Sequence, residues 1–175
     1  MPYPLQVTLF VLLLTSCTDA SRDPPPVSDY FAPASAPKVY DEFAAVAPLF
    51  EQRNDTTYLI NFWATWCKPC LEELPLLQQL QQESQGQPLR VLLISLDTVP
   101  AAIARIPAYL ERRDLDLPTI VLTDTEQEWQ RALDENWDGS LPTTFIYRNA
   151  LRYVYRRNFL TLPDVKDAVK PLVSQ

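Results

Sequence analysis

The chain has 175 residues, of which 47% are hydrophobic, and its 22 acidic and 15 basic side chains give a formal net charge of -7 at pH 7. This composition is typical of a globular domain with a sizeable core, and the negative charge disfavours binding to a nucleic acid backbone. The absence of histidine and the presence of only two glycines exclude histidine-dependent catalysis, histidine metal ligands and glycine-rich phosphate-binding loops.

The first predicted element is an N-terminal leader over residues 1–16, which carry no charged side chain. A transmembrane helix needs about 20 apolar residues, and the apolar centre of this segment, residues 7–14, is shorter than that. It has the length of a signal-peptide apolar region. The lysine or arginine that usually precedes such a region is missing. Leu14-Thr15-Ser16-Cys17 resembles the lipobox of bacterial lipoproteins, which implies cleavage before Cys17 and attachment of a lipid to it. The alternative is an apolar tail with an incidental cysteine.

The next segment, residues 18–37, is rich in proline, serine, aspartate and alanine and shows neither helical nor strand periodicity. It predicts an extended tether between the lipid and a folded domain, which the aromatic Tyr30 and Phe31 interrupt as residues able to dock locally. The expected organisation is therefore a signal peptide over 1–16, a lipidated cysteine with its tether over 17–37, and one folded domain over 38–175.

Strands alternate with helices in the predicted domain. Apolar and β-branched runs predict strands over 56–63, 89–97, 119–122, 143–148 and 151–157. The helices are predicted over 41–53 with Asp41 as the N-cap, 67–85 with a kink at Pro75, 100–113, 126–136 and 164–172. This order predicts an α/β fold in which a central mixed β-sheet is flanked by helices on both faces.

Cys67 and Cys70 lie at the start of a predicted helix that directly follows a predicted buried strand. Their spacing puts the first sulfur at the exposed helix N-terminus and the second one turn further in, so the two can approach disulfide geometry. Free N–H groups and the helix dipole stabilise a thiolate at Cys67, and Lys68 adds positive charge. Pro69 suits the first helical turn, where it needs no N–H partner. Cys67 is therefore predicted to attack a disulfide, and Cys70 to resolve the mixed disulfide.

The segment NFWATWCKPC at 61–70, followed by Glu73 and Pro75, resembles the TlpA/ResA branch of the thioredoxin-like fold over about residues 39–172. Members of this branch are extracytoplasmic, often membrane-tethered thiol-disulfide oxidoreductases. The resemblance implies a lipid-anchored reductase on the periplasmic side of a bacterial cell envelope, acting on exported protein disulfides such as those of apocytochrome c during cytochrome c maturation. It also implies re-reduction by a membrane thiol carrier of the CcdA/DsbD kind. No cofactor or metal is expected.

A second match to this fold lies far along the chain, at Leu141-Pro142-Thr143 before the strand predicted over 143–148. In the thioredoxin-like fold a cis-proline at this place packs beside the CxxC pair, and Pro142 is the matching residue. The backbone of Leu141 would pair with an extended substrate segment as an added strand. Trp66 is expected to be partly exposed beside the cysteines and to contact the partner.

Asn61 and Glu73 bear on how Cys70 loses its proton. Cytoplasmic thioredoxins place a buried aspartate in the strand before the cysteines, and the matching residue here is Asn61, which cannot titrate. Glu73 lies one helical turn after Cys70, and ResA-like proteins have a carboxylate at this position near the cysteines. Glu73 is therefore predicted to assist the deprotonation, with a pKa raised by burial and by the adjacent thiolate. The alternative is an exposed helix residue next to Glu72.

Other functions of a CxxC pair fit this sequence less well. A zinc site needs four nitrogen or sulfur ligands, of which this motif offers two, and a peroxiredoxin would need its peroxidatic cysteine in a different local motif. A purely structural disulfide would close only a very short loop and stabilise little. Two alternatives stay open: a non-catalytic binding module that holds partners in the groove at Pro142, and an oxidase of the same fold. The dipeptide Lys68-Pro69 does not by itself set a reduction potential.

Overall fold

The computed structural model of the protein describes residues 24–32 and 36–173. The predicted signal peptide and Cys17 lie outside these residues, so the leader and the lipid anchor stay predictions. Within the described ranges, no helix combines the length and the apolar character that crossing a bilayer requires.

The described strands are β1 (Lys38–Tyr40), β2 (Thr57–Trp63), β3 (Leu89–Ser95), β4 (Thr119–Leu122), β5 (Thr143–Arg148) and β6 (Leu151–Tyr155). They form a six-stranded sheet in the order β1-β4-β3-β2-β5-β6. Strands β1, β4, β3 and β2 run parallel to one another, whereas β5 pairs antiparallel with both β2 and β6. The predicted mixed sheet is confirmed, and β1 at its edge is a strand that the sequence analysis did not predict.

The described helices are α1 (Val27–Tyr30), α2 (Lys68–Glu83), α3 (Pro100–Ile103), α4 (Ile106–Glu111), α5 (Glu128–Leu133) and α6 (Leu162–Val173). One face of the sheet packs against α2, α4 and α6, and the other packs against α1 and α5 in a cluster rich in aromatic rings. Helix α2 buries residues three and four positions apart, namely Cys70, Glu73, Leu74, Leu77 and Leu80. This spacing places the buried side chains on one helix face, so α2 carries the CxxC motif on an element that is fixed to the core.

The segment predicted as a helix over 41–53 differs in the structure. It forms two 3₁₀ turns, Phe43–Ala45 and Ala47–Phe50, and neither has a side-chain cap, so the predicted N-cap at Asp41 is wrong. Pro48 lies at the start of the second turn. Proline has no N–H to bond to the carbonyl four residues earlier and its ring clashes with that carbonyl, so an α-helix cannot continue through it.

The helix predicted over 100–113 is divided in a similar way. It forms α3 and α4, and Pro107 lies in the first turn of α4. Because a proline is tolerated at a helix start and not in a helix interior, the break before Pro107 follows from the sequence chemistry. Helix α5 is also shorter than the predicted 126–136, and the chain after it continues in an extended conformation at Asp134.

Tyr30 anchors a segment that was predicted to be part of the tether. The residues around it form the single helical turn α1, and the Tyr30 side chain is only 1% exposed. Its ring lies 5.6 Å from the ring of Tyr40, measured between centroids, and its hydroxyl donates to the carbonyl oxygen of Ala45. The prediction of an extended segment is therefore wrong here, because a buried aromatic ring with a satisfied hydroxyl stabilises the docked conformation.

We expect Tyr30→Ala to lower the free energy of unfolding by about 3–5 kcal/mol, the usual cost of truncating a buried aromatic side chain. Urea denaturation followed by tryptophan fluorescence measures this change. Ser28→Ala, an exposed position in the same turn, is the control and should leave the stability unchanged. A loss below about 0.5 kcal/mol for Tyr30→Ala would mean that α1 is not part of the cooperative core.

Candidate functional site

The CxxC motif lies where the chain leaves the carboxyl end of β2 and enters α2. Cys67 has an extended backbone and is the N-cap of α2, and its Sγ accepts a hydrogen bond of 3.3 Å from the backbone N–H of Cys70. Lys68 and Pro69 occupy the exposed first turn. The Sγ atom of Cys67 thus lies at the N–H groups and the positive dipole end of a 16-residue helix, which favour a thiolate at this position.

Cys67 and Cys70 are joined by a disulfide with an S–S distance of 2.02 Å and a Cα–Cα distance of 5.3 Å. Cys70 is fully buried, whereas Cys67 retains 5% exposure and follows Trp66, which is 71% exposed. An incoming thiol therefore meets Cys67 first. Within the described part of the chain, no group of three or more potential ligand side chains is placed so that it could hold a metal ion.

Asp97 holds the loop that leads to Cys67. Its buried carboxylate accepts hydrogen bonds from the backbone N–H and the hydroxyl of Thr65, at 2.8 and 2.7 Å, and from the Ser95 hydroxyl at 2.8 Å. Asp97 was not predicted from the sequence to belong to the site. Its position in the sequence could have indicated the site. Asp97 ends a predicted strand, and the carboxyl ends of parallel strands meet at one edge of a sheet.

The peptide bond between Leu141 and Pro142 is cis, as the resemblance implied. Because β5 starts at Thr143 and runs antiparallel to β2, with Thr143 paired to Phe62, Pro142 lies beside the carboxyl end of β2. The Thr143 hydroxyl donates to the carbonyl oxygen of Ser140 at 2.9 Å and holds this turn. The structure thus places Leu141, Pro142 and Thr143 at the sheet edge that carries the CxxC motif.

Glu73 is fully buried and is not the exposed helix residue of the alternative interpretation. Its Oε1 accepts from Nδ2 of Asn61 at 2.8 Å, and its Oε2 accepts from the backbone N–H of Phe159 at 2.7 Å. Residues three apart on a helix lie on the same face, so Glu73 is one turn below Cys70. Nδ2 of Asn61 also donates to Oγ1 of Thr144 at 2.8 Å.

Thr144 and the N–H of Phe159 were not predicted from the sequence as members of this network. Thr144 pairs with Asn61 across β2 and β5, and the register was not available from either strand alone. For Phe159 no sequence signal exists, because any residue carries a backbone N–H and its position depends on how the segment before α6 crosses α2.

Burial raises the pKa of Glu73 to about 7. The hydrogen bonds from Phe159 and Asn61 and the charge of Arg157 lower this pKa, and the charge of Asp164 raises it. The sequence predicts that burial and a neighbouring thiolate raise the pKa of Glu73, and in the disulfide form burial is the main cause of the raised pKa. A carboxyl group with a pKa near neutrality can take up and release a proton under ordinary conditions.

The raised pKa of Glu73 predicts how stability changes with pH. The pKa is about 7 in the folded state against an ordinary value of 4.5, so the folded state binds this proton more tightly. The resulting stabilisation is fully present below about pH 4.5 and is lost as the pH rises through about 7. Glutamine stays neutral at every pH, so Glu73→Gln should gain roughly 2 kcal/mol relative to wild type between pH 5 and pH 8.

Urea denaturation of both proteins at pH 5 and pH 8 measures this difference. Comparing the two pH values cancels any effect of the substitution that does not depend on pH, such as an altered hydrogen bond to Phe159. Exposed Glu72 offers the matched control, since Glu72→Gln should show no such gain. Equal differences at both pH values for Glu73→Gln would contradict a raised pKa in the folded state.

The chain matches one protein family and several curated relatives. The model of the AhpC/TSA family matches residues 38–154. The chain is 35% identical over 89 residues to the thioredoxin-like protein YneN of Bacillus subtilis, covering 50% of this chain and 48% of that protein. It is 28% identical over 116 residues to the thiol-disulfide oxidoreductase ResA of Geobacillus thermodenitrificans, covering 64% and 62%. The chain spans about half the length of the curated relatives it matches.

Solved structures show the same fold. A secreted thiol-disulfide isomerase from Corynebacterium glutamicum is 26% identical with a TM-score of 0.56, over 70% of this chain and 73% of that one. A thioredoxin-related protein from Neisseria meningitidis serogroup B is 24% identical with a TM-score of 0.56, over 68% and 86%. The thioredoxin-like architecture predicted from the sequence is thereby confirmed.

Proposed function

Since the chain belongs to the AhpC/TSA family, we propose that it is a thiol-disulfide oxidoreductase that reduces disulfides of exported proteins with the pair Cys67 and Cys70. The observation that carries this proposal is the position of the Cys67 Sγ at the N-terminus of α2, where it accepts the Cys70 N–H. A helix N-terminus lowers the pKa of a cysteine there and keeps it as the reactive thiolate.

The first step is the attack of the Cys67 thiolate on a substrate disulfide. A bond forms between the Cys67 Sγ and one substrate sulfur, the substrate S–S bond breaks, and the other substrate sulfur leaves as a thiolate that takes up a proton. Exposed Trp66 and the backbone of Leu141 at the same sheet edge are proposed to hold the substrate segment during this attack.

The second step resolves the mixed disulfide. Glu73 takes the proton of the Cys70 thiol, and the Cys70 thiolate attacks the Cys67 Sγ. The bond between Cys67 and the substrate breaks, and the second substrate sulfur leaves as a thiolate that takes up a proton. The substrate has then gained two electrons and two protons, and the protein carries the Cys67–Cys70 disulfide that the structure shows. A dithiol donor must reduce this disulfide before the next cycle.

The cellular setting is part of the proposal and rests on the sequence resemblance. We propose that a lipid on Cys17 anchors the protein on the extracytoplasmic side of a bacterial membrane. The electrons would come from a membrane thiol carrier of the CcdA/DsbD kind, and apocytochrome c is the proposed example of a substrate. Cell fractionation tests the anchor, because Cys17→Ser should move the protein from the membrane to the soluble fraction.

A redox titration tests the proposed reductase. The fraction of the Cys67–Cys70 disulfide is measured by alkylation over a series of glutathione potentials, with Cys17→Ser in the background. A potential below about -250 mV would support a reductase, and one near about -120 mV would favour an oxidase. A protein that binds partners but never reduces insulin disulfides would instead be a binding module.

A further inference from the structure

Asn61 has an unusual set of contacts in the core beneath the CxxC motif. It lies inside β2 and is fully buried. Its Nδ2 donates to Oε1 of Glu73 and to Oγ1 of Thr144, both at 2.8 Å. Its Oδ1 is also buried, and among the residues that the structure describes no group donates a hydrogen bond to it. The amide therefore uses both of its donors and leaves its acceptor free, which costs about 1–3 kcal/mol in a buried position.

This arrangement fits one protonation state of Glu73. Both carboxyl oxygens accept hydrogen bonds, Oε1 from Asn61 and Oε2 from the N–H of Phe159. An ionised carboxylate is a pure acceptor and suits two donors. A protonated carboxyl group carries an O–H that needs an acceptor, and the backbone N–H of Phe159 cannot accept.

A half-turn of the Asn61 amide about its last side-chain bond exchanges the positions of Nδ2 and Oδ1. Oδ1 would then face Glu73 and Thr144 in place of Nδ2. A carboxylic acid can donate to Oδ1, and the Thr144 hydroxyl can also donate to it, because a hydroxyl is both donor and acceptor. Glu73 and Thr144 can therefore each form a hydrogen bond with either Nδ2 or Oδ1 of Asn61.

We propose that Asn61 positions Glu73 in both of its protonation states, donating from Nδ2 to the carboxylate and turning over to accept at Oδ1 from the carboxylic acid. Thr144 changes from acceptor to donor at the same time. The inference rests on the proposed function in one respect, namely that the proton comes from the Sγ of Cys70 during resolution. Asn61 itself gains and loses no proton.

The charged groups around Glu73 come from the segment before α6 and from α6 itself. They are Arg157 and Asp164, which form a salt bridge of 2.7 Å with each other. On its own helix the neighbouring Cys67 and Cys70 are joined in the disulfide, and β2 and β5 contribute the neutral Asn61 and Thr144.

A neutral amide at position 61 lets Glu73 titrate as a single group, whereas a carboxyl group there would share a proton with it.

Nuclear magnetic resonance of the oxidised full chain tests the proposal without any turnover. The side-chain carboxyl carbon of Glu73 and the side-chain amide of Asn61 are followed from pH 5 to pH 9, with Glu73→Gln and Thr144→Val to assign the signals. The Asn61 amide signals should shift with the same midpoint as Glu73, near pH 7. The amide of Asn54, which donates to the Tyr58 hydroxyl, is the control and should not show this step.

Two outcomes would overturn the proposal. One is a Glu73 carboxyl that titrates while the Asn61 amide signals stay constant. For Asn61→Asp we expect the titration of Glu73 to split into two coupled steps, with the midpoint of the upper step raised by at least one pH unit. The other contradicting outcome is that Glu73 in Asn61→Asp keeps the single midpoint of the wild type. The measurement uses the disulfide form, so a protein without reductase activity could still show the linked titration of Asn61 and Glu73. A protein that is a reductase but whose Asn61 amide signals stay constant would contradict the role of Asn61 and leave the proposed function unaffected.

Discussion

Replacing Cys67 by serine is expected to abolish disulfide reduction, with a loss of at least about 10³-fold that leaves only the rate of the free dithiol in the assay. A serine hydroxyl does not ionise near neutral pH, even at the N-terminus of α2, so no mixed disulfide can form. Insulin reduction in the presence of a small dithiol measures the loss. All variants carry Cys17→Ser, so that the third cysteine of the chain does not contribute.

The complementary variant Cys70→Ala should trap the substrate. It keeps the attacking sulfur and removes the resolving one, so the mixed disulfide with Cys67 accumulates and is seen as a higher-mass band without reducing agent. Cys67→Ala is the matched control and should trap little, because Cys70 is fully buried. Equal trapping by both variants would mean that the roles of the two sulfurs are not distinct.

Replacing Glu73 by glutamine is expected to slow the resolution step by about 10²-fold or more, since a positioned general base typically contributes 10²–10⁴-fold. In the wild type the basic form of Glu73 increases as the pH rises through its pKa of about 7. The resolution rate should therefore rise between pH 6 and pH 8 and then level off. Without this carboxylate the rate should follow the ionisation of the Cys70 thiol itself and rise only at higher pH, because burial raises the pKa of a thiol.

An aromatic disulfide whose thiol absorbs visible light separates the two steps. Its reaction with the reduced protein releases one thiol when Cys67 attacks and a second when Cys70 resolves, so the second phase reports on Glu73. Glu72→Gln is the control, because Glu72 is exposed and lies 3.8 Å from the Lys68 ammonium, away from the buried network. A second phase that keeps its rate and its pH profile in Glu73→Gln would show that Glu73 is not the base.

Long elements with a regular residue pattern depend mainly on local chemistry. Strand β2 is buried at all seven positions, and its continuous apolar sequence predicted this to within one residue. The helix predicted over 67–85 is observed as α2, over Lys68–Glu83. The errors fall on short elements: β1 has three residues and one buried side chain, and Pro48 and Pro107 divided helices that the apolar spacing had joined.

The sequence by itself determined where the cysteine pair lies, because four consecutive residues at a strand-to-helix junction are enough to place two sulfurs at a helix N-terminus. It also placed Glu73 below Cys70, since helical periodicity acts over three residues. Only the tertiary structure decided the partners of Glu73, because the N–H of Phe159 is 86 positions away along the chain and Thr144 is 83 positions from Asn61. Hydrogen bonds across such separations depend on how the strands and α6 pack together, and burial in that packing is what raises the pKa of the carboxyl group.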